Sequence, residues 1–105
     1  RLAAMPSRNP YTVHERKLML QYIHRSMHWV IAGSPPSPNG IVLWNQFKVD
    51  YPNIPHTASS LASHFYRRLR YEMTTDNSLW DDNMETILYL LKNLRIAMPI
   101  IDIMR

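Results

Sequence analysis

Apolar residues recur along this chain at intervals of three and four, the spacing of one face of an α-helix. The interruptions between periodic stretches are proline, glycine and short polar residues. In the first stretch Leu18, Met19, Tyr22, Ile23 and Val30 form one stripe, while Lys17, Gln21, His24, Arg25 and His28 cluster on the opposite, polar face. Thr12 and Glu15 ahead of it have the spacing of a capping box, in which the hydroxyl accepts the Glu15 amide and the carboxylate reaches back. This predicts a helix over about 12–32. GSPPSPNG at 33–40 then forbids regular structure and makes a stiff loop. A second helix is expected over about 41–50, with Ile41, Leu43, Trp44 and Phe47 as apolar bulk and Pro52 and Pro55 at its exit.

Thr57 is a good cap for a third helix running to about 73. Leu61, Phe65 and Leu69 point inward there with Ala58 and Ala62, and Ser60, Ser63, Arg67, Arg70 and Tyr71 point outward. A fourth helix is predicted over about 79–98. It opens with Asp81, Asp82 and Glu85, which suit the positive end of the helix dipole. Its face carries Met84, Ile87, Leu88, Leu91, Leu94 and Met98, and Pro99 stops it. Four helical stretches and no sheet are expected, so the fold class is all-α. The predicted core is Leu18, Tyr22, Trp44, Phe47, Leu61, Phe65 and Leu69. Leu20, Met27, Ile31, Leu90 and the apolar residues after Pro99 fall off these stripes.

A chain of 105 residues has room for one core. Its apolar runs are a few residues long, far short of the ~20 that span a bilayer, so no membrane contact is expected. The opening RLAAMPSRNP reads as an irregular arm over 1–10, with no secretory signal pattern. The absence of cysteine removes disulfides and thiolate metal sites. A net charge of +4 and a pI near 9.7 favour an acidic partner, nucleic acid being the commonest; a solvated basic surface fits the same numbers.

Nothing in the sequence assembles a catalytic site. The two glycines, Gly33 and Gly40, sit inside the proline loop, so no phosphate-cradling loop exists. No serine or threonine has the context of an activated nucleophile. His24 and His28 have the four-residue spacing of a two-histidine metal face, but no third ligand joins them and they read as solvated histidines. His14 and Glu15 begin a zincin-like pattern that Leu18 voids. No enzyme activity, cofactor, metal or small-molecule substrate is therefore expected.

The order of a capped helix, a long loop, a tryptophan-bearing helix and a basic third helix resembles the Myb/homeodomain-like domains of telomere-binding proteins. The segments that carry the resemblance are Tyr11–Glu15 (YTVHE), Leu43–Phe47 (LWNQF) and His56–Leu69 (HTASSLASHFYRRL). It covers roughly residues 11–72 and is nearest to the repressor/activator type and to the nematode double-strand telomere-binding proteins. The resemblance implies a three-helix Myb/homeodomain-like bundle at 11–73, here with an additional C-terminal helix in an extension at 74–105. It also implies a nuclear protein of telomeric chromatin whose third helix enters the major groove of double-stranded DNA. On that basis Ser60, Ser63, His64, Arg67 and Arg68 form the reading face, Thr57 contacts a phosphate, and Arg70 adds charge. Where DNA-binding relatives usually carry Lys, Asp and Arg, this chain has Ala62, Ser63 and His64, which removes phosphate contacts.

The extension brings more apolar surface than a three-helix domain needs, and its helix is expected to pack either across the core of the same chain or on a partner. Leu90, Leu94, Ile100, Ile101 and Ile103 are expected to bury themselves against a second copy, or against a related Myb-like domain. Self-association is thus the leading expectation for this segment, with DNA bound by the whole protein. Direct binding of telomeric duplex DNA and docking to another chromatin protein are the alternatives.

Overall fold

Both arms of the expected capping box form. The Thr12 amide donates to the Glu15 carboxylate at 3.1 Å and the Glu15 amide to the Thr12 hydroxyl at 3.0 Å, and α1 (Val13–Trp29) starts there. In this computed structural model residues 10–29 and 37–94 are described. The expected ends of the first and fourth helices, and the arm at 1–9, lie outside them. α2 (Ile41–Asp50) is tied to the loop before it by the Trp44 indole, which donates to the Pro38 carbonyl at 2.8 Å. Lys48 closes the loop after it by donating to the Ile54 carbonyl.

The third helical run opens where the Thr57 hydroxyl accepts the Ser60 amide. It comprises α3 (Ala58–His64), a π turn (Phe65–Leu69) and α4 (Arg70–Thr75). A short 3-10 turn (Asn77–Leu79) follows, capped by Asp76, and then α5 (Met84–Asn93). α5 starts later than the sequence pattern predicts. Asp82 sits at φ 56, a left-handed conformation incompatible with a continuing α-helix, so 80–83 turn instead.

α2 packs on α3, and α5 packs on α1. The result is an all-α bundle, and no strand occurs among the described residues. At its centre Trp44, Phe47 and Phe65 are at most 2% exposed. Trp44 meets Phe47 edge-on at 5.4 Å, and Tyr22 meets Phe47 edge-on at 5.1 Å, the arrangement that aromatic quadrupoles prefer. The predicted core is buried throughout except Leu18, which is partly buried.

Three expectations are corrected. The polar flank of α1 is not left wholly to solvent: α5 packs along it, with Gln21 donating to Asn83, His24 hydrogen-bonded to Thr86, and Tyr89 against His24 and His28. Leu20 lies one turn before His24 on this flank and is fully buried. Leu90, expected at an interface, is likewise fully buried in the chain's own core. Conversely Ile41, Met84 and Leu88, assigned to apolar faces, are 46%, 58% and 51% exposed.

Candidate functional site

The chain entering α1, the turn before α3 and the outer side of the third helical run enclose an open cleft of about 910 Å³. Its lining gathers Thr57, Ser60, Ser63, His64, Arg67 and Arg68, six of the seven residues assigned to DNA reading, together with Pro10, Tyr11, Arg16, Pro55, His56 and Glu72. Arg70 lies elsewhere.

Tyr11 organises this cleft. Its ring stacks on His56 at 3.7 Å and on His64 at 3.7 Å, nearly parallel to both, so one histidine covers each face. The Tyr11 and Ser60 hydroxyls share a hydrogen bond of 2.5 Å. His56 is fixed in turn by Glu15, whose Oε1 lies 3.0 Å from His56 Nε2. Burial alone would raise the Glu15 pKa, but His56 and the Thr12 cap together draw it below its ordinary value. Burial raises the Tyr11 phenol despite the Ser60 bond.

Burial pushes His64 down to about 4, and its Nε2 has no hydrogen-bond partner among the described residues. At neutral pH it is therefore an uncharged ring, where a cation would help hold phosphate. Arg16 is held by Glu72 and Asp76, both at 3.0 Å, and Arg68 also contacts Glu72, at 3.4 Å. Of the three arginines lining the cleft, Arg67 alone has no carboxylate partner among the described residues. Ser63 and Arg67 are exposed; Thr57 is exposed but its hydroxyl is engaged by the helix cap.

The expected self-association set divides. Leu90 is internal, Leu94 is partly buried against the core, and Ile100, Ile101 and Ile103 lie outside the described residues. What α5 does present is Met84 and Leu88, one turn apart. At roughly 100° per residue, the buried Asn83, Ile87 and Leu90 with Leu94 occupy one side. Leu91 sits at its margin, only 8% exposed, and Met84 and Leu88 extend the apolar arc beyond the margin into solvent. The arc is wider than the bundle covers.

Sequence reasoning missed Tyr11 and His56 as site residues. The available signal was an aromatic directly ahead of a capping box and two histidines, His56 and His64, eight positions apart. Among the described residues no three His, Asp or Glu side chains gather as a metal site, and no helix is long and apolar enough to cross a membrane. Comparison with protein-family models, curated proteins and solved structures found no match.

Proposed function

We propose that this chain is a non-enzymatic Myb-like module of a nuclear protein that binds double-stranded telomeric DNA at chromosome ends, and that this copy serves self-association. The observation that carries the reading is the exposed Met84–Leu88 strip on α5, which continues the buried side of the helix without a break. A folded domain gains by covering such a strip, and a second copy is the commonest cover. The state of the reading face supports the same choice. Ser60 and His64 are engaged by Tyr11, Arg16 and Arg68 by carboxylates, and His64 is neutral.

Solution mass measured by light scattering or sedimentation from low to high micromolar concentration tests the proposal. Wild type should grow toward dimer mass, and Leu88→Lys should remain a folded monomer, because the charge is cheap on a free surface and costly in an apolar contact. A wild type that stays monomeric at high micromolar concentration overturns it.

Direct reading of duplex DNA is a second interpretation, favoured by exposed Ser63 and Arg67 on one side of the cleft. A salt-titrated binding assay on telomeric duplex separates the two: DNA reading demands binding at low salt that falls steeply with added salt and weakens with Arg67→Ala.

A further inference from the structure

The C-terminal part of the third helical run carries a surface around Arg70 that lies outside the cleft, next to Arg67, which also lines the cleft. Arg70 lies over the ring of Tyr66 at 4.3 Å and over that of Tyr71 at 4.6 Å. Its Nε donates to the Tyr66 carbonyl at 2.7 Å, and one terminal nitrogen donates to the Tyr71 hydroxyl at 2.6 Å. A guanidinium has five N–H donors, so three remain. Both rings are half exposed, at 49% and 53%. Neither Arg70 nor the neighbouring Arg67 forms an ion pair among the described residues, because Glu72, the one acid on this run, is turned to Arg16 and Arg68. The backbone beneath is the π turn Phe65–Leu69, a rare geometry concentrated at functional sites. A clamped arginine between tyrosines loses little freedom on binding and has the make-up of an interface hot spot.

The complementary charge is on the same chain. Asp81 and Asp82 are exposed and form no ion pair among the described residues. The left-handed backbone at Asp82 sets this acidic turn directly ahead of the exposed Met84 and Leu88.

We propose that a second copy docks through these two surfaces, the Asp81–Asp82 turn of one copy seating on Arg67 and Arg70 between Tyr66 and Tyr71 of the other. This rests on the self-association reading and gives it a register. The apolar strip supplies contact area, and bidentate arginine–carboxylate pairing fixes orientation.

Association of the full chain is measured by sedimentation, with helical content followed by circular dichroism. Arg70→Glu and Asp81→Lys should each raise the concentration for half-association by roughly ten-fold or more. An equimolar mixture of these two variants should recover near wild-type association, because the carboxylate introduced in one then faces the ammonium introduced in the other. Asp82→Asn, which tolerates the left-handed backbone, and Arg67→Glu are second variants for the two sides should either first choice misfold. Wild type that associates unchanged by these substitutions, or weakened variants that the mixture fails to rescue, overturns this pairing and leaves self-association standing. Loss of duplex DNA binding by Arg70→Glu with mass unaffected overturns it in favour of a nucleic-acid surface. A monomeric wild type overturns both readings.

Discussion

The cleft beside α3 and the outer side of α5 treat their side chains in opposite ways. In the cleft, groups that look available to a ligand are consumed within the chain: Tyr11 takes Ser60 and His64, Glu15 takes His56, and Glu72 takes Arg16 and Arg68. On α5 and the turn before it, Met84, Leu88, Asp81 and Asp82 stand in solvent. A polar, basic sequence segment is thus not the same thing as a free surface. The count that matters is how many groups remain after the fold has used what it needs.

Within α5 the contrast is sharpest between positions two residues apart. Leu90→Lys places an unpaired charge in the core. Even truncation of such a leucine costs ~2–5 kcal/mol, so the variant should lose its helical circular dichroism signal rather than become a folded monomer. Retention of native helicity by Leu90→Lys would show that α5 has no internal side at this position.

Tyr11→Ala should be the next largest effect. It removes two ring stacks worth ~0.5–1.5 kcal/mol each and opens His64 to water. Denaturant midpoints give the first quantity, and NMR titration should show the His64 pKa climbing from about 4 toward the ordinary value near 6.5. The same group sets a pH dependence. The unfolded chain protonates His64 at about 6.5 and the folded chain only near 4, so folding stability falls as pH drops through that window. Burial and the neighbouring His28 lower the His24 pKa also, so His64→Gln should flatten the profile without abolishing it. A profile identical to wild type would mean His64 is not buried.

Thr12→Ala should cost ~1 kcal/mol by removing the hydroxyl half of the capping box. Because Glu15 also holds His56, the cleft should loosen as well, visible as faster amide exchange at 56–60. Smallest of all, Leu88→Lys should change monomer stability by no more than ~0.5 kcal/mol, while abolishing any mass increase with concentration.

The elements themselves are legible in the sequence. Thr12 with Glu15, Thr57 ahead of Ala58, and the proline loops mark three helix starts within a residue or two, since caps and breakers act through the local backbone. The core aromatics followed from helical spacing. Less legible were Leu20, Leu90 and the His24 flank, because periodicity on one helix says which residues share a side and not how many neighbours cover it. The start of α5 was misplaced because nothing local announces a left-handed Asp82.

The sequence by itself determined the all-helical character, the first three helix starts, and Trp44, Phe47, Phe65 and Leu69 as core, all consequences of local capping and a 3.6-residue repeat. Only the tertiary structure decided that α5 lies across α1 and that Tyr11 inserts between His56 and His64. These contacts join residues 45 or more positions apart. Such pairings arise from how whole surfaces fit, which a one-dimensional pattern leaves open.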